Sequence, residues 1–106
     1  MRKITNKEDY DEFDRIHAEA MHYLERKDPE WGETWKTESI KWLTQQAEKC
    51  TTRIGLILSK EGPSTIEQDK KLMRKCIEKA VDCMNYCLFI IKRLEESGAI
   101  DVADCL

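Results

Sequence analysis

Residues 66–96, IEQDKKLMRKCIEKAVDCMNYCLFIIKRLEE, decide the fold of this chain, because they form its longest run of helical periodicity. Apolar side chains recur three or four residues apart through the run, which is typical of an amphipathic helix. They cover nearly half of the helix circumference, and that width indicates contact with more than one neighbouring helix. The apolar positions are Leu72, Met73, Cys76, Ile77, Ala80, Val81, Cys83, Met84, Cys87, Leu88, Ile90, Ile91 and Leu94.

Local signals mark both ends of this helix. Ser64 or Thr65 begins it, and Glu67 follows Ser64 at the spacing of a capping box. Ser97-Gly98 ends it, because glycine favours the backbone conformation found just after a helix. The remaining tail is expected to dock as a short turn or to fray.

Two prolines, Pro29 and Pro63, divide the chain into three periodic segments. The predicted helices therefore cover residues 6–27, 37–60 and 66–96. No apolar/polar alternation predicts a strand. The sequence predicts an all-α fold, a single domain over residues 1–106, in which three main antiparallel helices form an oligomeric helical bundle.

The first two helices have narrower apolar stripes than the third. Asn6 or Thr5 is the predicted N-cap of the first helix, and Thr37 that of the second. The first stripe comprises Tyr10, Phe13, His17, Ala20 and Leu24, and the second Ile40, Leu43, Ala47, Cys50, Ile54 and Ile57. Trp42, Arg53, Leu56 and Phe89 fall outside the stripes, and we expect them on an oligomer surface.

The segment DPEWGETW, residues 28–35, is the predicted turn between the first two helices. Pro29 and Gly32 favour a turn there. Two large indoles, Trp31 and Trp35, are unusual in so short a connection. They either plug one end of the helical core or line the mouth of a pocket.

Charge and composition exclude several classes of protein. The chain has 18 Lys+Arg against 21 Asp+Glu, a net charge of −3, and the two signs alternate. No basic face for a nucleic-acid polymer is expected, and no segment is apolar enough to cross a membrane. No signal peptide is recognised near the start, so a cytoplasmic location with five free, buried cysteine thiols is expected.

Polar lines on two helices could hold a metal ion. Glu78 and Asp82 are four residues apart and share one helix face. Glu48 lies on a polar line of the second helix, with Lys49 and Arg53 beside it. If the two lines face each other, their oxygens suit Mg²⁺ and the cations suit phosphate. The alternative is a solvated face of i,i+4 ion pairs.

Two other groups of residues are candidates for chemistry: His17, and the cysteines of the second and third helices. His17 lies on the first apolar stripe and is interpreted as a hydrogen-bonded core histidine, with a general base as the alternative. Cys76, Cys83 and Cys87 share one side of the third helix, where Cys50 could face them. Their spacing differs from that of structural zinc sites, so core packing is the simpler interpretation.

Short motifs follow one another in a recognisable order: Trp31-Gly32-Glu33-Thr34-Trp35, Ser39 with Leu43-Thr44-x-Gln46, Arg53-Ile54, and Asp82-x-x-Asn85-Tyr86. Over roughly residues 10–95 the series resembles the MazG-like all-α proteins common in phages and mobile elements. It is most similar to the branch called nucleotide modification associated domain 1. That branch shows a Tyr-Gly-x-x-Trp loop, a Leu-Thr-Asp-Gln helix ending in Arg-Ile, and a last helix with Asp and Asn-Tyr.

The resemblance implies a function in nucleotide chemistry. The wider family includes Mg²⁺-dependent hydrolases, dimeric or tetrameric, that cleave a nucleoside triphosphate into a monophosphate and pyrophosphate. Carried onto this sequence, the resemblance implies three sets of residues. They are Mg²⁺ ligands Glu48, Glu78 and Asp82, phosphate contacts Lys49 and Arg53, and a base and sugar pocket of Trp31, Trp35, Asn85 and Tyr86.

The chain departs from the family's metal-binding pattern. The second helix has no ExxE motif, and Gln45 stands where the branch often has aspartate. In the third helix Glu78-x-x-x-Asp82 is one residue longer than ExxD. The resemblance therefore favours nucleotide binding more than hydrolysis.

A non-catalytic helical interaction or adaptor protein of a phage or mobile element is the alternative hypothesis. It predicts that Glu78 and Asp82 are exposed to solvent and paired with lysines. Carboxylates that converge across the helices would favour the nucleotide hydrolase, and carboxylates that lie apart would favour the adaptor.

Overall fold

The computed structural model describes residues 6–31, 33–59, 62, 65–98 and 100–106, with residues 28–31 described by their backbone alone. The protein is all-α, as predicted, with three main helices. The helices are α1 (Lys7–Trp31), α2 (Thr34–Thr37), α3 (Ile40–Leu58), α4 (Ile66–Gly98) and α5 (Val102–Cys105). None of the described helices is long and apolar enough to cross a membrane.

The prediction that residues 28–35 form a turn is wrong in its first half. α1 continues through Pro29 to Trp31. A proline removes one backbone donor of a helix and its ring crowds the carbonyl four residues earlier, but α1 accommodates Pro29 in its last turn and ends two residues later. Residues 34–37 then form the short helix α2.

α3 begins three residues later than predicted, because a different side chain caps it. Thr37 lies in the last turn of α2, where its hydroxyl donates to the carbonyl oxygen of Thr34 at 3.2 Å. Ser39 is the N-cap of α3 instead, and its Oγ accepts from the backbone N–H of Trp42 at 3.0 Å.

α4 begins at Ile66 as predicted, with a capping box formed by Thr65 and Gln68. The Thr65 N–H donates to Oε1 of Gln68 at 2.9 Å, and the Gln68 N–H donates to Oγ1 of Thr65 at 3.1 Å. The other predicted cap, Ser64, lies outside the described residues. The tail forms α5, capped by Asp101, whose side chain accepts from the Ala103 N–H.

α1 forms one compact unit, and α2 to α5 form a second. Asn6 caps α1, since its Oδ1 accepts from the Asp9 N–H at 2.9 Å. Along α1, Tyr10 and Phe13 are more than half exposed and His17 is exposed. The interpretation of His17 as a core histidine is therefore wrong, because the helical period of α1 does not reveal how much of its stripe is covered. That one domain covers the whole chain stays a prediction.

Among the described helices, α3 and α4 pack against each other most extensively, and α2 packs on α4. They run antiparallel: Trp42, near the start of α3, contacts Tyr86 in the second half of α4 at 6.3 Å between ring centroids. The buried side chains of α3 recur every seventh residue, at Leu43, Cys50 and Ile57.

The face of α4 that meets α3 is not the apolar stripe that the sequence predicts. α4 buries Asp82, Asn85 and Phe89. These positions lie on the opposite side of the helix from Met73 and Ile91, which are exposed. The rings of Tyr86 and Phe89 lie on this side and offer a large apolar area. This face of α4 therefore packs against α3 although its sequence also contains polar residues. Phe89 is consequently in the core and not on an oligomer surface.

Candidate functional site

The outer face of α3 lines an open groove with a volume of about 700 Å³. The groove lies on the side of α3 opposite Leu43 and Cys50, so the packing on α4 leaves it accessible. Gln45, Glu48 and Thr52 of the polar line predicted for the second helix lie in this groove. Its lining residues are Gln45, Glu48, Lys49, Thr52, Arg53 and Leu56.

Two cations stand side by side in this groove. Lys49 and Arg53 are four residues apart on one helix face, and both are exposed. In the described part of the chain, neither forms an ion pair with a carboxylate. Two uncommitted cations one helical turn apart are suited to binding a phosphate group, with arginine able to bind two of its oxygens at once.

The three carboxylates predicted to bind Mg²⁺ do not come together in one chain. Glu48 lies in the groove on the outer face of α3, and Glu78 is exposed on α4. Asp82 is only 8% exposed, on the side of α4 that meets α3, and one of its oxygens lies 3.8 Å from Nζ of Lys79. Among the described residues, no three His, Cys, Asp or Glu side chains are grouped closely enough to hold a metal ion. The residues therefore do not fit the metal that the family resemblance implies.

Asn85 and Tyr86, predicted to shape a nucleotide pocket, lie in the packing between α3 and α4. Asn85 is 2% exposed, and within the described structure its Oδ1 accepts no hydrogen bond. A buried unsatisfied oxygen of this kind destabilises a fold by about 1–3 kcal/mol. Burial raises the pKa of Tyr86, with smaller contributions from Cys50 and Asp82. Neither residue lines the α3 groove.

Trp35 belongs to an aromatic cluster that closes one end of the α3–α4 pair. Its ring stacks on Phe89, with centroids 5.4 Å apart and planes 15° from parallel. Tyr86 meets Phe89 edge to face at 6.1 Å. Of the two alternatives for the tryptophans, the stacking of the half-buried Trp35 on Phe89 favours a core plug, whereas the side chain of Trp31 lies outside the described residues.

Arg93 fixes this plug and was not predicted from the sequence. Its Nη1 donates to the carbonyl oxygens of Trp35, at 2.9 Å, and of Glu38. A cation near the last carbonyls of a helix satisfies acceptors that have no partner within that helix. A single arginine among the many charges of α4 gives no sequence signal for such a role.

The five cysteines are free thiols, as expected, but they differ in environment. Cys50 is buried, whereas Cys87 is exposed. Burial raises the pKa of Cys50, and the nearby Asp82 adds to the effect. Burial also raises the pKa of Cys83, followed by the influence of Cys87. A raised pKa keeps a thiol protonated at neutral pH, which disfavours both nucleophilic chemistry and thiolate binding to a metal.

These raised pKa values predict a loss of stability in alkaline solution. Below about pH 8.5, the ordinary thiol pKa, folded and unfolded chains are both protonated, and stability is unaffected. Above it, the unfolded chain loses protons that Cys50 and Cys83 retain when folded, so the free energy of unfolding falls as pH rises. Urea unfolding at about pH 7 and about pH 9.5 measures the fall, and Cys50→Ala should show a smaller one. An equal fall in Cys50→Ala would show that the Cys50 thiol does not contribute to the loss of stability.

Comparison with protein-family models, with curated proteins and with solved structures found no match in any of the three. The described residues provide an open, charged groove on α3 and a partly buried aromatic junction between α2, α3 and α4. The groove on α3 is the surface that can accept a ligand, whereas the aromatic junction holds the helices together.

Proposed function

We propose that this protein binds a nucleotide in the groove of α3, with the phosphates held by Lys49 and Arg53. The observation that carries the proposal is this pair of exposed cations, one turn apart, within a groove of about 700 Å³. Small-molecule sites commonly have volumes of about 300–1,000 Å³. The resemblance of the motif series to MazG-like proteins, which includes Arg53-Ile54, supports the same class of ligand.

Each of the five polar residues that line the groove has a chemical role in nucleotide binding. The planar guanidinium of Arg53 donates two parallel hydrogen bonds to phosphate oxygens, and Lys49 adds a point charge beside it. Gln45 and Thr52 supply neutral donors and acceptors on the same face. Glu48 accepts hydrogen bonds from sugar hydroxyls. The sugar then lies beside Glu48, and the phosphates lie beside Lys49 and Arg53.

The proposed activity is binding, without hydrolysis by a single chain. The donor set for Mg²⁺ is divided between the outer face of α3, the surface of α4 and the interhelical core. Trp35, Asn85 and Tyr86 are packed among α2, α3 and α4. These three side chains are therefore not expected to contact the base of the bound nucleotide.

Arg53→Gln is expected to weaken nucleotide binding by about 10- to 100-fold, because a hydrogen bond to a charged group contributes about 1.5–3 kcal/mol. Isothermal titration with a panel of nucleoside monophosphates and triphosphates measures the change. Lys41→Gln is the matched control, since it removes an exposed cation of α3 that does not line the groove. An equal loss in Lys41→Gln, or no binding by the unmodified chain at millimolar nucleotide, would refute the proposal.

A second measurement separates binding from catalysis. Incubation of the full chain with the same nucleoside triphosphates and Mg²⁺ is expected to release no pyrophosphate. Release that disappears in Asp82→Asn would show that the carboxylates act together after all. In that case the hydrolase implied by the MazG-like resemblance would replace simple binding as the function.

A second candidate function is the non-catalytic helical interaction protein. It is favoured by the separation of the carboxylates and by the exposure of Glu78. Asp82 departs from what this hypothesis predicts, because it is buried, although it does lie beside Lys79. Nucleotide titration distinguishes the candidates, since an interaction protein of this kind has no need of Arg53 for a small ligand.

A further inference from the structure

α4 carries an apolar seam with the spacing of a coiled coil. Seven apolar residues follow one another at alternating intervals of four and three, which is the heptad repeat that lets two long helices pack along their length. The seam extends over about 32 Å at 1.5 Å per residue. Its members are Met73, Ile77, Ala80, Met84, Cys87, Ile91 and Leu94.

This α4 seam is largely exposed in the chain. Met73 and Ile77 are each 61% exposed, Ile91 45% and Leu94 52%. The face of α4 that packs on α3 lies on the other side of the helix, so α3 leaves the seam accessible. Large apolar side chains in a continuous exposed row are characteristic of a binding surface and uncommon in a monomer.

We propose that the α4 seam pairs with the α4 seam of a second copy of this chain, in an antiparallel arrangement. A helix with a heptad repeat complements itself, and a two-fold pair buries the same surface of both partners in one closed interface. α1 carries a shorter apolar row at similar intervals, from Tyr10 to Leu24, so among the described helices a second copy of α4 is the partner that matches the full length of the seam.

The charges beside the seam favour the antiparallel direction. Arg74 and Glu95 lie on the same flank of the seam, one at each end. When two copies run in opposite directions, this flank meets itself, and Arg74 of each copy lies near Glu95 of the other. In a parallel pair it would meet the opposite flank, which carries Cys76, Cys83 and Ile90 and no charge. Glu95 is held in position because its Oε2 accepts from the Val102 N–H at 3.0 Å.

The same register gives good packing along the seam. Aligning Arg74 with Glu95 places Ile77 opposite Leu94 and Ala80 opposite Ile91. Near the two-fold axis, Met84 then faces the small Cys87. Large side chains thus meet small ones near the middle of the interface, which allows the two helices to approach closely.

The oligomeric state of the full chain tests the surface. Sedimentation equilibrium is expected to show a dimer at micromolar concentration. Ile91→Asp should weaken association by at least about 100-fold, because each copy would bury an unpaired charge. Leu58→Asp, a charge placed on an exposed residue of α3 outside the seam, should leave the dimer unchanged. Circular dichroism confirms that both variants remain helical.

A charge exchange tests the direction. Arg74→Glu alone and Glu95→Arg alone should each weaken the dimer by about tenfold, since two ion pairs become repulsive. The double variant Arg74→Glu/Glu95→Arg should regain the original affinity only if the copies are antiparallel. A monomer at every concentration, or a dimer insensitive to Ile91→Asp, would overturn the interface. Failure of the double variant to recover would overturn the antiparallel arrangement.

Discussion

Leu43→Ala is expected to lower the free energy of unfolding by about 3–5 kcal/mol. Leu43 is completely buried, with 0% of its surface exposed, on the face of α3 that packs on α4. Its truncation removes apolar contacts and leaves a cavity that two packed helices can collapse only in part. Urea unfolding followed by circular dichroism measures the difference between the variant and the unmodified chain.

The matched control for this prediction is Leu58→Ala. Leu58 is the last residue of the same helix and is 71% exposed, so its truncation should change the free energy of unfolding by no more than about 0.5 kcal/mol. Equal losses at the two positions would show that α3 does not present its Leu43 face to α4. Such a result would also remove the reason for placing the groove on the opposite face.

The helices of this protein are predictable because their signals are local. Apolar periodicity and caps place α3 and α4 within three residues of their observed bounds at each end. The boundary of α1 was missed because Pro29 disfavours a helix without forbidding one. The distinction between Thr37 and Ser39 as cap of α3 also escapes the sequence, since both are good capping residues.

The face of α4 that meets α3 could not be predicted from hydrophobicity. The sequence places a wide apolar stripe on one side of α4, and the seam on that side is largely exposed. The contact instead uses Phe89 and Tyr86, which share their side of the helix with Asp82 and Asn85. A helix with two usable faces gives no local indication of which partner each face takes.

The same reasoning explains which part of the candidate site could be predicted. Lys49 and Arg53 lie together in the groove because positions four residues apart on one helix are always neighbours. Glu48 and Asp82 are on different helices, and whether they meet depends on how each helix is rotated about its axis. Local sequence patterns do not specify the rotation of a helix about its axis. The predicted metal site required a rotation that brings Glu48, Glu78 and Asp82 together, and the described residues show no such group.

Phe89→Ala is expected to lower the free energy of unfolding by about 3–5 kcal/mol. Phe89 is 9% exposed, stacks on Trp35 and meets the edge of Tyr86. Loss of the Phe89 ring would leave a cavity at the junction of α2, α3 and α4. Phe89→Leu keeps most of the apolar volume and should lower the free energy of unfolding by less. The comparison is again made by urea unfolding.

The control is Phe13→Ala, which is the same substitution made at an exposed phenylalanine. Phe13 is 57% exposed and meets Tyr10 edge to face, so its truncation should cost at most about 1 kcal/mol. Phe89→Leu, which is expected to remain folded, then tests the role of the aromatic cluster. If Trp35 is a core plug, this variant binds nucleotides as tightly as the unmodified chain. A loss of binding that exceeds the loss of stability would return Trp35 to the wall of a nucleotide pocket.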